Sequence, residues 1–167
     1  MKKVLILSFV LVSAVASAQT TNYQVHSLFV LNIAKYSEWP TADAEFHIVV
    51  FGKSKMYDEL TKLTTGKNIN GHTIKVSQIE NVTDIGNANI VFLADGKSGN
   101  LDEIVKATEG KSIMVIAERE GLFKKGAGFS FMLTENNTLR YDINNAALAK
   151  RNIKVSKNLA NLANSVI

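Results

Sequence analysis

"FHIVVFG", residues 46–52, is a nearly continuous apolar run, rich in branched side chains and closed by a glycine. A strand with one wet face alternates polar and apolar residues, whereas an unbroken run fits a strand covered on both faces, as in a parallel sheet. "NIVFLAD" (89–95) and "SIMVIAE" (112–118) repeat the pattern. Between these runs lie "KSKMYDELTKLTTGK" and "SGNLDEIVKATEGK". They place Met56, Leu60 and Leu63, then Leu101, Ile104 and Val105, at helical spacing, with stops expected near Gly66 and Gly110. A further strand, "HTIKVSQI" (72–79), follows the Asn70-Gly71 turn signal. Strands alternating with helices argue for βαβ crossovers.

Towards the end the pattern changes. "FSFML" (129–133) and "LRYDI" (139–143) alternate in side-chain type around "TENNT", which predicts a half-exposed antiparallel hairpin. "NNAALAKR" reads as a short helix capped by Asn144. "SKNLANLANSVI" reads as another, capped by Ser156, with Leu159, Leu162, Ala163 and Val166 on one face. The expected fold class is therefore α/β: a single three-layer domain with a mixed, mostly parallel sheet, flanking helices and a C-terminal antiparallel hairpin.

At the front, Thr21 with Gln24 matches a capping box, so a helix is expected from near Asn22. Val25, Leu28, Phe29, Asn32, Ile33 and Tyr36 then recur at spacings of three and four. Pro40 serves as the expected stop, because it lacks an N–H and biases Trp39 away from helical geometry.

The first eighteen residues bear on compartment. Lys2 and Lys3 precede an apolar run from Val4 to Val15, and Ala16-Ser17-Ala18 has the small-x-small form of a signal peptidase site. The run is shorter than the ~20 residues of a membrane span, and no second candidate span follows. The reading is an export signal over 1–18, cleaved after Ala18, and one exported domain over 19–167. The chain has no cysteine, which removes disulfides, thiol nucleophiles and thiolate metal sites from consideration. Of the net charge of +4, Lys2 and Lys3 supply two units, so the basic balance gives little support to a nucleic-acid partner.

Gly-Lys-Ser occurs at residues 52–54, 96–98 and 110–112, but the positions a P-loop reserves for an earlier glycine hold His47, Val91 and Val105. The first two tripeptides follow strands, at the edge where open α/β sheets bind ligands. Lys53, Ser54, Lys97 and Ser98 are accordingly candidates for a small anion or nucleotide-like ligand, against the plainer reading of surface turns. With Asp95, Glu118 and Arg119 they form the expected pocket of a small-ligand sensor or an unrecognised enzyme. His26, His47 and His72 have no metal-binding spacing, and His47 is expected as a satisfied core imidazole. "EREGLFKKGAGFSF" (118–131) lacks the last glycine of a dinucleotide fingerprint and reads as a loop. No G-x-S-x-G elbow is present. No enzyme, metal or cofactor is expected.

Lys35-Tyr36-Ser37-Glu38-Trp39-Pro40, at the end of the front helix, and "RYDIN", "RNIKVSKNL" and "NLA" near the end of the chain resemble the YfiR-like family of exported bacterial proteins, in the same order along the sequence. The resemblance implies a periplasmic, non-enzymatic regulator that binds and restrains a membrane-bound signalling protein, a diguanylate cyclase or a kinase. Disulfide control, known in that family, is excluded here by the lack of cysteine. Phe29, Lys35, Tyr36, Glu38 and Trp39 are the expected receptor or homodimer surface, aromatic residues being the usual anchors of interfaces. Phe29 and Tyr36 share the periodic apolar face, so for these two core packing is the preferred reading. Trp39, at the helix end, either caps the core or meets a partner.

Overall fold

A computed structural model describes residues 22–40 and 45–167. The expected export signal, its cleavage point and Thr21 lie outside them. The elements are α1 (Tyr23–Lys35), β1 (Ser37–Glu38), β2 (Glu45–Phe51), α2 (Lys55–Thr64), β3 (Asn68–Ile69), β4 (His72–Ile79), β5 (Ile90–Leu93), α3 (Leu101–Ala107), β6 (Met114–Ala117), β7 (Phe129–Leu133), β8 (Leu139–Ile143), α4 (Asn145–Ala149), β9 (Lys154–Val155), α5 (Lys157–Asn161) and β10 (Ser165–Val166).

The three apolar runs are β2, β5 and β6, side by side and parallel, with Ile48 beside Ile90 and Ile90 beside Met114. They form the middle of an eight-stranded sheet of order β10-β8-β7-β6-β5-β2-β4-β3. β4 and β7 extend the parallel set, β3 and β8 pair antiparallel at its two sides, and β10 lies parallel to β8. The mixed, mostly parallel sheet read from the sequence is the one observed. From β2 the chain builds β4 on one side, then returns to lay β5 on the other. The connection thus reverses between β2 and β5, and their carboxyl ends flank the resulting crevice.

Successive side chains of a strand point to opposite faces, so each run feeds two cores. Ile48, Val50, Phe92 and Ile116 meet Val30 and Ile33 of α1 and Met56 and Leu60 of α2 on one face. Val49, Phe51, Leu93 and Val115 meet Leu101 and Ile104 of α3 on the other. Each fully buried aliphatic or phenyl side chain contributes about 1.5–3 kcal/mol by leaving water, which is why both helical layers are held. The β3–β4 turn is made by Asn70 and Gly71 at φ 51 and 88, the left-handed pair that a two-residue hairpin requires.

Several local expectations need correction. Helix α1 begins where expected, but its cap is Asn22, whose side chain accepts the Val25 N–H. It ends at Lys35, well before Pro40, and Ser37 and Glu38 are already extended. Pro40 therefore acts on Trp39 alone. The buried face of α1 is His26, Ser27, Val30, Ile33 and Ala34, while Leu28, Asn32 and Tyr36 from the expected stripe are exposed. Apolar residues surround this helix, and contact with the sheet selects a face that periodicity alone does not.

The C-terminal helix is also shorter than expected. α5 stops at Asn161, leaving Leu162 and Val166 exposed, and the following residues join the sheet as β10. The Asn164 N–H bonds Tyr141 O at 2.8 Å and the Ile167 N–H bonds Ile143 O at 3.0 Å, so strand pairing outweighs weak helix propensity in this Asn-rich segment. The hairpin is more covered than its alternation implied: Ser130 and Asp142 are buried, and Asn164 donates to Asp142 at 2.9 Å. The loop of 118–131 is packed, with Leu122 and Phe123 buried and Asn144 Nδ2 donating to Phe123 O at 2.7 Å.

Candidate functional site

The two segments that carry the family resemblance meet in space. β1 pairs antiparallel with β9, setting Ser37 opposite Val155 and Glu38 opposite Lys154, and the Ser156 N–H continues the ladder to Tyr36 O at 2.9 Å. Ser156 then caps α5 by accepting from the Leu159 N–H at 3.2 Å. This clasp brings α5 alongside α1 and leaves a groove of 540 Å³ between them.

Phe29, Ile33 and Tyr36 form one wall of the groove, and Leu159 and Leu162 the other, with Asn32, Asn158 and Asn161 supplying amides. Phe29 is half-buried and stacks edge-on against Phe131 and Tyr141, with centroids 6.1 and 6.0 Å away. Tyr36 is exposed rather than core, and Lys35 Nζ lies 5.7 Å from its ring centroid, within cation–π range. Glu38 is exposed on the clasp, opposite Lys154 and outside the groove. Trp39 turns the other way. Its ring meets Phe46 edge-on at 4.9 Å and caps the core at the amino ends of the strands, beside Ala88 and Ile113. The structure therefore gathers Phe29, Lys35 and Tyr36 and separates Trp39 from them. Sequence reasoning missed the second wall, because Leu159 and Leu162 were placed on a longer helix with no opposing face.

The expected ligand pocket at the carboxyl edge divides. Lys97 lies across Gly52, where an added Cβ would come within 2.5 Å of Lys97 Cγ, and its Nζ pairs with Glu80 at 3.0 Å. Ser54 caps α2 by accepting from the Met56 N–H at 3.2 Å, and Lys53 is exposed. Ser98 Oγ donates to Asp95 O at 2.7 Å. On the far side of Asp95 a second group forms. The Asp95 N–H donates to Glu118 Oε2 at 2.8 Å, and Arg119 Nε meets Asp95 Oδ1 at 2.7 Å. The hydrogen bond and charge of Asp95 hold the Arg119 guanidinium above its ordinary value. Asp95, Glu118 and Arg119 line a separate cavity of 360 Å³ with Glu120, His26 and Phe131.

His47 is half-buried, its Nε2 2.8 Å from Ser77 Oγ, and burial, then the Lys75 charge, pushes its pKa down against the opposing pull of Glu45. Among the described residues no group of three or more His, Cys, Asp or Glu side chains is placed to hold a metal ion.

A family model described as YfiR/HmsC-like matches residues 23–164. The chain belongs to the YfiR/HmsC-like family. This YfiR/HmsC-like family is one of periplasmic regulators of signalling, and membership points to a regulatory, non-catalytic role. No helix among the described residues of this YfiR/HmsC-like chain is long and apolar enough to cross a membrane. No curated protein matches it.

Solved structures extend the likeness in fold. An ABC domain in complex with L-Trp from Streptococcus pneumonia superposes with a TM-score of 0.57 at 9% identity, over 87% of this chain and 60% of that one. A conserved domain protein from Vibrio cholerae gives 0.60 at 11% identity, with the same coverage of 87% and 60%. The YfiR/HmsC-like chain thus spans 60% of the length of each. At such identities the likeness is one of architecture alone.

Proposed function

We propose that this protein, exported by cleavage after Ala18, binds and restrains a membrane-bound signalling protein such as a diguanylate cyclase, using the α1–α5 groove as its contact surface. The observation that carries the reading is the groove itself. It is apolar on both walls, it is formed by the segments that mark the family, and Tyr36 and Leu162 are 48% and 61% exposed beside it. Partner interfaces concentrate their binding energy in such aromatic and aliphatic anchors, ringed by groups that exclude water.

The charge around the groove narrows the occupant. Among the described residues no acidic side chain lines it, while Lys35 stands over the Tyr36 ring and Lys157 is exposed beside Asn158. The fitting partner is a receptor segment with an apolar or aromatic anchor flanked by acidic residues. A second copy of the chain is the competing occupant.

The test pairs binding with signalling. Leu162→Asp places a carboxylate on the exposed wall, so the variant should keep the wild-type melting temperature, lose capture of the periplasmic region of a host cyclase, and leave cellular cyclic-di-GMP at the level of a strain lacking the protein. Retained capture and retained restraint in this variant would remove the groove from the reading. A loss confined to self-association in sedimentation would assign the groove to the homodimer. Amino-terminal sequencing of the secreted chain checks the cleavage point.

A further inference from the structure

The polar side of the 360 Å³ cavity at the carboxyl ends of β5 and β6 is rich in acceptors, beside the apolar Phe131, Met132, Leu133 and Leu139. Asp95, Glu118 and Glu120 line it with a single guanidinium, Arg119, and that cation is already engaged: Nε holds Asp95 Oδ1 at 2.7 Å and Nη2 holds Asp95 O at 3.3 Å. Glu118 uses Oε2 for the Asp95 N–H, which leaves Oε1. Glu120 has no partner among the described residues.

His26 makes this more than an acidic cluster. It lines the cavity at only 5% exposure, and its Nδ1 lies 2.9 Å from Asn22 O. A carbonyl oxygen only accepts, so Nδ1 carries the proton of the neutral ring and Nε2 presents a lone pair. That Nε2 has no partner among the described residues. The lining also has apolar members, with Phe131 edge-on to the His26 ring at 5.1 Å and Leu133 46% exposed.

We infer that this cavity binds a small organic cation, a primary amine on an apolar or aromatic body. An ammonium brings three donors, matched here by His26 Nε2, Glu118 and Glu120, while the body lies on Phe131 and Leu133. The volume is within the range of small-ligand sites, ~300–1,000 Å³. The lysines that suggested an anion are elsewhere, since Lys97 is tied to Glu80 over Gly52, so the charge preference of this edge is the reverse of the one the sequence suggested. The site is distinct from the α1–α5 groove, although α1 contributes to both.

The purified protein is titrated with 2-phenylethylamine and butylamine, and with 2-phenylethanol and 3-phenylpropionate as matched neutral and anionic probes, by calorimetry and by amide chemical shifts. The expected result is saturable binding of the amines only, with shifts at residues 23–26, 118–120 and 131–133. Joint Glu118→Gln and Glu120→Gln substitution should weaken amine binding about tenfold or more. Glu120→Gln alone, at an exposed position, should weaken it measurably with folding intact. No saturable binding of either amine up to about 10 mM, equal binding of the alcohol, shifts that map elsewhere, or an affinity indifferent to both substitutions would each overturn the assignment.

Discussion

Tyr36 and Trp39 stand in one hexapeptide, yet Tyr36 is 48% exposed beside the groove while Trp39 packs edge-on against Phe46 under the amino ends of the strands. Had the helix continued, a spacing of three would have put both rings on one side. The chain instead leaves α1 at Lys35 and becomes extended at Ser37, where one side chain points in and the next points out. A change of backbone period between two aromatic residues therefore gives one segment both an interior anchor and a surface anchor. Under the proposed function such a segment would serve two demands, stability and contact, that need separate measurement.

The largest effect belongs on the interior side. Trp39→Ala should lower stability by about 3 kcal/mol, the low end for large aromatic truncations because the ring is only partly covered. Denaturant unfolding followed by circular dichroism measures it, the only tryptophan having been removed. A loss under about 1 kcal/mol would put Trp39 on the same footing as Tyr36.

Next comes the hinge between the two rings. Ser37 is buried, and its Oγ donates to Ile33 O at 2.7 Å, closing the last turn of α1. Ser37→Ala should cost about 1 kcal/mol, visible as a lower denaturation midpoint at unchanged slope. Tyr36→Ala should change stability by less than about 0.5 kcal/mol while weakening receptor binding about tenfold or more. Equal losses of stability in Tyr36→Ala and Trp39→Ala would erase the contrast.

The smallest effect is a pH dependence on the interior side. His47, next to Phe46, has its pKa lowered by burial and by Lys75. The unfolded ring, near its usual 6.5, takes up a proton more readily than the folded one. Stability is therefore fully present above that value and declines as the pH falls from it towards the lowered folded pKa. His47→Gln should flatten the stability profile between about pH 7.5 and 5.5, and an unchanged profile would show that other groups carry it.

Much of the architecture was legible because the central parallel strands β2, β5 and β6 are nearly continuous apolar runs and the helices between them are amphipathic and followed by glycine. Phe46 to Gly52 identified a covered strand, and Asn70-Gly71 located a hairpin. What was not legible depends on partners distant in sequence. The face of α1 was misread because Leu28, Phe29, Val30 and Ile33 offer apolar surface on several sides, and only the sheet decides among them. β1, β9 and β10 are two residues each, too short for any periodicity to register. At the carboxyl edge the pairing was not legible: Lys97 pairs with Glu80, and Arg119 with Asp95, so an apparent single pocket became two unlike environments.

The β1–β9 clasp also sets an order of events. It joins residue 37 to residue 155, so most of the chain must be closed into a loop before the ladder rewards the closure. Contacts of such separation form late in folding, and synthesis delivers α1 long before α5. The groove exists only once the two ends have met. A protein docking there, as proposed, would therefore select finished molecules over nascent or partly unfolded ones.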